Sequence, residues 1–113
     1  MDEPAFKNRT KQVALRVIRV VSAMPRDRVS DVISRQLLRC GTSVGANYGA
    51  ACRGKSVADV IAKLSIVEEE ADETLYWLEL IVAAALMAEG RLRPLMKEVD
   101  EVFAMTVSSI KTL

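Results

Sequence analysis

Apolar side chains recur every three or four residues along almost the whole chain, and no segment alternates strictly between apolar and polar. This spacing is that of one face of an α-helix. The first stripe predicts a helix over residues 5–23, ended before Pro25 because the residue preceding a proline avoids the helical region. Its members are Phe6, Thr10, Val13, Val17, Val20 and Met24.

Three further stripes predict helices over residues 27–53, 56–88 and 92–112. The second stripe holds Val29, Ile33, Leu37, Cys40, Val44, Tyr48 and Ala51. The third holds Val60, Leu64, Val67, Ala71, Leu75, Leu78, Val82 and Ala85. The fourth holds Leu95, Val99, Val102, Phe103, Thr106 and Ile110. Short connections make successive helices antiparallel neighbours. The predicted fold is all-α: one up-down-up-down four-helix bundle spanning residues 1–113.

Local signals mark the predicted helix ends. Ser56, followed three residues later by Asp59, resembles a capping box with Asp in place of the usual Glu. Gly90 is predicted to close the third helix from the C′ position, where glycine is preferred. Pro94 is expected in the first turn of the fourth helix, where proline is tolerated.

Composition points to a protein of the cytoplasm. Cys40 and Cys52 would lie about 18 Å apart on one helix, which is too far for a disulfide. The N-terminal sequence shows no signal peptide. The most apolar run, Leu80–Ala88, is nine residues long, whereas a membrane span needs about 20. We therefore expect a soluble, cytoplasmic protein without a membrane partner.

Charge is distributed unevenly although the chain is nearly neutral. Residues 1–56 hold 11 Lys and Arg against 4 Asp and Glu, a balance of +7, and residues 57–113 hold 5 against 11, a balance of −6. The basic half could pack beside the acidic half within the fold or an oligomer, or it could face an anionic partner. The candidate nucleic-acid contacts are Arg9, Arg16, Arg28, Arg35 and Arg39.

The segment GAACRGKS, residues 49–56, fits the phosphate-binding pattern GxxxxGK followed by Ser or Thr. A P-loop needs a buried strand before it and a helix after it. The preceding residues instead continue the helical stripe through Cys40, Val44 and Tyr48. The segment is therefore predicted to be a helix end and a turn, and no cofactor is expected.

Gly41, Gly45 and Gly49 are spaced by four, so they share one face of the second helix. Glycine in a helix costs about 1 kcal/mol relative to alanine, which the close approach of another helix would offset. The alternative is that some of these glycines kink the helix. Ser43 and Asn47 lie one turn apart and, if buried, need polar partners. Glu73 is the expected partner, and it could turn inward to meet either Asn47 or an arginine. Ser43, Asn47 and Glu73 therefore form a candidate polar network.

The acidic run at residues 68–73 is the densest charge cluster. Metal sites in helical bundles pair Glu with His, and the chain has no histidine. Most of the run is expected to be solvated. We expect no metal site and no catalytic residues.

Several segments closely resemble the four-helix-bundle family of 23S rRNA intervening-sequence proteins: QLLRCGTSVGANY (36–48), ACR (51–53), KLSIVEEEADETLYWLELI (63–81) and RLRPLMKEVDEV (91–102). The resemblance implies an antiparallel bundle that assembles as a homopentamer. A related branch, the accessory variability proteins of diversity-generating retroelements, binds a reverse transcriptase and RNA. Where the family usually has Arg-Glu-Ala after Tyr48, this chain has Gly49, Ala50 and Ala51.

Two functional hypotheses follow. The first is a non-enzymatic oligomeric scaffold or adaptor, because the stripes leave further apolar residues unpartnered. These are Leu15 and Ile18 on the first helix, and Ile66, Tyr76, Trp77 and Leu80 on the third. The alternative is an accessory protein that binds RNA or DNA through the basic face of helices 1 and 2. With few aromatic residues for base stacking, such binding would engage phosphates without selecting a sequence.

Overall fold

A computed structural model describes residues 2–113 as four helices, with no strand in that range. They are α1 (Glu3–Ala23), α2 (Arg28–Cys52), α3 (Val57–Ala83) and α4 (Glu89–Lys111). The molecule is elongated along the helix axes, with extents of 44 × 23 × 20 Å. The predicted all-α four-helix bundle is confirmed.

The helices pack in chain order, with α2 between α1 and α3, and α3 between α2 and α4. The fourth side, between α1 and α4, has fewer contacts than the other three. The core is a column of aliphatic side chains from the four predicted stripes, with Phe6 packed edge to face against Tyr48 at one end. Three threonines are also buried, and each hydroxyl donates to a carbonyl of its own helix.

Side chains cap α2 and α3 at their N-termini. The Asp27 carboxylate accepts hydrogen bonds from the backbone and hydroxyl of Ser30, at 2.8 and 3.1 Å. The Ser56 hydroxyl accepts from the Asp59 amide at 3.0 Å, and the Asp59 carboxylate accepts from the Lys55 amide at 3.2 Å. These bonds satisfy amides that a helix start leaves free. The predicted cap at Ser56 is confirmed.

The third helix ends at Ala83, well before residue 88, so its predicted end is wrong. The Leu86 amide donates to the Ile81 carbonyl and the Ala85 amide to the Val82 carbonyl, each at 3.0 Å. These two bonds form a Schellman motif. Its C′ residue is Ala85, which has the left-handed φ of 56°. Leu86 packs against the core directly after this turn, and that burial favours the early ending.

The fourth helix begins at Glu89, three residues before the predicted start. Gly90 therefore lies in the first turn of α4 and does not cap α3. Pro94 lies inside α4, one turn later than predicted. It has no amide to donate to the carbonyl four residues earlier.

Two stripes differ in detail from the prediction. Val29 is 60% exposed, and the Asp27 cap turns Ser30 inward in its place. In α3 the buried face follows Thr74 and Ile81 as well as Leu78. The helical period of 3.6 drifts away from a strict heptad over a helix of 27 residues, and this drift accounts for the shift.

We expect Ala85→Gly to stabilise the fold by about 0.5–1 kcal/mol, because glycine adopts a left-handed φ without the steric cost that alanine bears. Ala84→Gly is the matched control. Ala84 has the ordinary φ of −83°, so glycine there should be neutral or destabilising by up to about 1 kcal/mol. Urea unfolding of both variants checks this, and equal effects at the two positions would contradict the assigned turn.

Candidate interaction surfaces

The P-loop-like segment is the junction between α2 and α3. Gly49 to Cys52 are helical, and Ser56 caps α3. The Gly54 amide donates to the Ala51 carbonyl at 3.0 Å, and the Lys55 amide donates to Asp59. A Cβ on Gly54 would lie 2.5 Å from Val60 Cγ2, so the glycine permits a tight turn. Two of the amides that a P-loop would turn toward a phosphate, those of Gly54 and Lys55, are thus already hydrogen-bonded.

The three helical glycines differ in their surroundings. A Cβ on Gly41 would lie 2.7 Å from Val17 Cγ2, and one on Gly45 would lie 3.3 Å from Thr10 Oγ1. At both positions α1 approaches the backbone of α2 directly. A Cβ on Gly49 would meet only Arg53 of its own helix, at 3.6 Å. Gly49 therefore faces open space and does not lie against another helix.

A groove follows the outer seam between α1 and α2. We define the α1–α2 groove by the residues that line its two cavities and by Ile18 between them. The larger cavity, of about 560 Å³, is lined by Pro4, Lys7, Asn8, Thr10, Lys11, Ala14, Thr42, Gly45, Ala46 and Gly49. The second, of about 350 Å³, is lined by Val21, Ser22, Met24, Pro25, Arg26, Asp31, Ser34, Arg35 and Leu38. This groove was not predicted, although the glycine spacing indicated part of its floor.

The candidate polar network of Ser43, Asn47 and Glu73 does not form as one unit. The Asn47 amide donates to the hydroxyl and the carbonyl of Ser43, at 2.8 and 2.9 Å, within α2. Glu73 instead pairs with Arg39 and accepts a hydrogen bond from Trp77 Nε1 at 3.1 Å. Both Ser43 and Asn47 are half-buried, so local bonds and solvent satisfy them without α3.

Arg39 links α2 to α3. Its guanidinium pairs with Glu73, and its Nη1 lies 3.2 Å from Glu70 Oε2. This ion pair lies on the exposed surface and joins the basic half of the sequence to the acidic half. Arg39 is one of the five arginines predicted as nucleic-acid contacts, and its guanidinium is paired within the chain.

Arg9 links α1 to α4 across the side of the bundle that has fewest contacts. Its Nε and Nη2 each donate to a carboxylate oxygen of Glu98 at 2.8 Å, and Nη2 also lies 3.3 Å from Glu101. Nη1 contacts Met105 Sδ at 3.0 Å. The hydrogen bond from Arg9 lowers the pKa of Glu98, against the opposing effect of burial. A second candidate arginine is thus held within the chain.

The remaining candidates, Arg16, Arg28 and Arg35, have no carboxylate oxygen within 4 Å among residues 2–113. Arg28 and Arg35 are exposed. Arg16 lines a cleft of about 220 Å³ between α1 and α4, together with Arg19 and Arg91. The five predicted arginines therefore do not form one basic face.

Every buried side-chain nitrogen or oxygen in residues 2–113 has a hydrogen-bond partner. Burial raises the pKa of both the Cys40 and Cys52 thiols, which disfavours the reactive thiolate. In the same range no three His, Cys, Asp or Glu side chains converge as metal ligands do. Nor does any helix there combine the length and apolarity that crossing a bilayer requires.

Residues 5–108 match the 23S rRNA-intervening sequence protein family. The chain belongs to this family. The match covers nearly all of the bundle, from the first turn of α1 to the last turns of α4. The resemblance inferred from the residue motifs is confirmed.

A solved relative shares the complete fold. It is a protein of unknown function from the S23 ribosomal protein family of Bacteroides thetaiotaomicron VPI-5482, 32% identical in sequence. The two structures superpose with a TM-score of 0.90 over 98% of this chain and 99% of that one. No curated protein matches the chain.

The pair of Arg9 and Glu98 gives a pH-dependent prediction. Glu98→Gln should destabilise the fold by about 1 kcal/mol at pH 7, as expected for a partly buried, bidentate pair. Because the folded pKa of Glu98 lies below the ordinary 4.5, this stability is complete above pH 4.5. It is lost as the pH falls through the lower folded value. The difference between parent and variant should therefore shrink in acid.

Urea unfolding at pH 7 and at pH 2.5 measures that difference. Asp100→Asn is the control, because the Asp100 carboxylate has no cation within 4 Å in the described chain. A Glu98→Gln effect that persists undiminished in acid would contradict the ion pair as its cause.

Proposed function

We propose that the protein is a non-enzymatic oligomeric scaffold that binds further copies of itself, in the homopentamer that the family resemblance implies. Its activity is to present helix faces at fixed positions, without chemistry of its own. The raised pKa of the Cys40 and Cys52 thiols supports this proposal, because it disfavours the thiolate that a cysteine nucleophile needs.

The observation that carries the proposal is apolar surface on the outside of the bundle. Leu15 and Ile18 on α1, Leu38 on α2 and Tyr76 on α3 are between 37% and 54% exposed. Single exposed apolar residues are ordinary, but apolar residues that recur along a groove favour an interface. Leu38 lines the second cavity of the α1–α2 groove. Ile18 lies four residues after Ala14 and three before Val21, which line the two cavities.

The alternative, binding of RNA or DNA, has less support. The Arg9 guanidinium pairs with Glu98 within the chain. The Arg39 guanidinium pairs with Glu70 and Glu73. The cleft with Arg16, Arg19 and Arg91 is the strongest remaining feature for phosphate. It lies between α1 and α4, away from the face of helices 1 and 2 on which the hypothesis was based.

The mass of the purified protein in solution tests the scaffold. Light scattering coupled to size exclusion should give an oligomer whose mass is a fixed multiple of 12.4 kDa and persists on dilution into the micromolar range. A mass of one chain at every concentration would refute self-assembly. An oligomer that forms only when RNA is added would favour the nucleic-acid alternative.

A further inference from the structure

The α1–α2 groove has the pattern of a helix-binding seam. Lys7, Lys11, Ala14, Ile18 and Val21 follow one another along α1 at steps of four and three. Arg35, Leu38, Thr42, Gly45 and Gly49 do the same along α2. Steps of three and four on two neighbouring helices place a continuous row of holes between them, into which a third helix can insert side chains.

A matching stripe runs along the outside of α3. We define the α3 ridge as Ala62, Ser65, Glu69, Asp72, Tyr76 and Glu79, which repeat at steps of three and four. All are exposed except Ser65, which is half-buried. The α3 helix has 27 residues, about 40 Å of length. It can therefore span a groove that runs along a molecule 44 Å long.

The two surfaces are complementary in charge. Lys7, Lys11, Arg26 and Arg35 line the groove, with Asp31 as the one acidic residue lining its cavities within residues 2–113. The ridge carries Glu69, Asp72 and Glu79, none of which has a cation within 4 Å in the same range. Like charges at this spacing destabilise an isolated helix, and basic side chains brought by a partner would relieve that repulsion.

The two surfaces are also complementary in shape. Tyr76 is the largest side chain of the ridge and is 54% exposed. The larger cavity of the groove, of about 560 Å³, is lined by Ala14, Gly45 and Gly49 together with Lys7 and Lys11. With Tyr76 in that cavity, Asp72 and Glu79 lie about one turn to either side, within reach of the two lysines.

We propose that the α1–α2 groove of one copy receives the α3 ridge of the next copy. This inference rests on the proposed scaffold and adds the two surfaces that form its interface. Groove and ridge lie on different parts of the same chain, so one copy can receive a ridge from a second copy and donate its own to a third. Such a head-to-tail contact forms a ring when the rotation between successive copies closes, as the proposed pentamer requires.

Charge reversal in pairs tests the assignment. Lys7→Glu with Lys11→Glu changes the groove, and Asp72→Lys with Glu79→Lys changes the ridge. Each pair places like charges at the contact, so each should raise the concentration at which the oligomer dissociates by at least tenfold. All four substitutions in one chain restore opposite charges, and the dissociation concentration should return to within about threefold of the parent. Light scattering across a dilution series gives these values, and circular dichroism confirms the helix content.

Lys97→Glu with Lys111→Glu is the matched control, since it changes the formal charge as much as the groove pair does but lies on α4. An oligomeric parent whose groove and ridge variants behave like this control would overturn the assigned interface and leave the scaffold standing. A parent that is monomeric throughout would overturn both. If the groove pair and the ridge pair each weaken the oligomer, but the chain with all four substitutions does not regain the dissociation concentration of the parent, the two surfaces do not meet.

A glycine pair repeats the test without changing charge. Gly49→Leu would fill the larger cavity, whereas Gly90→Leu adds the same side chain where no atom lies within 4 Å. Both chains should keep the helical fold. Gly49→Leu should raise the dissociation concentration at least tenfold and Gly90→Leu should leave it unchanged. Equal behaviour of the two variants would contradict occupation of the groove.

Discussion

The close approach of α1 to α2 determines both the inside and the outside of this bundle. Val17 and Thr10 lie against the backbone of α2 because Gly41 and Gly45 present no side chain there. Relative to alanine, the two glycines together cost about 2 kcal/mol of helix propensity. In return, the buried stripes of α1 and α2 reach a common core. The same lack of side chains at Gly45 and Gly49 hollows the outer seam into a groove.

The side of the bundle between α1 and α4 depends on a different interaction. Helix contacts are few there, and Arg9 spans it with a bidentate hydrogen bond to Glu98 and a second contact to Glu101. Arg39 also joins two helices, since it forms ion pairs with Glu70 and Glu73 between α2 and α3. Two arginines of the basic half and four carboxylates of the acidic half are therefore paired within one chain. Apart from these pairs, the charged residues that line the groove are mostly basic and those of the ridge are acidic.

The sequence predicts the fold well because apolar residues recur at helical spacing along nearly the whole chain. The stripes through Phe6 and Leu37 and the cap at Ser56 are local features, and local features carry their own signal. The end of α3 could not be predicted in this way. A Schellman motif is normally recognised in a sequence by glycine at the C′ position. Here Ala85 has the left-handed conformation at that position, while Gly90 lies in a helix.

The surfaces were harder to predict than the core. Which arginines remain free depends on contacts between residues far apart in sequence, such as Arg9 with Glu98, and no local pattern encodes them. Gly49 has the same spacing as Gly41 and Gly45, yet a Cβ added there would meet no atom of α1 within 4 Å. The groove appears only once two helices are placed side by side.

The free energies of unfolding of Gly41→Ala and Gly90→Ala show whether α1 lies against the bare backbone of α2 at Gly41. Both changes remove a helical glycine and gain up to about 1 kcal/mol of propensity. Gly90 has open space around it, so that gain should be visible there. At Gly41 the new methyl group would meet Val17 at 2.7 Å, and overpacking costs typically 1–3 kcal/mol. We therefore expect Gly41→Ala to be less stable than the parent and Gly90→Ala to be more stable. A Gly41→Ala chain as stable as Gly90→Ala would contradict this expectation.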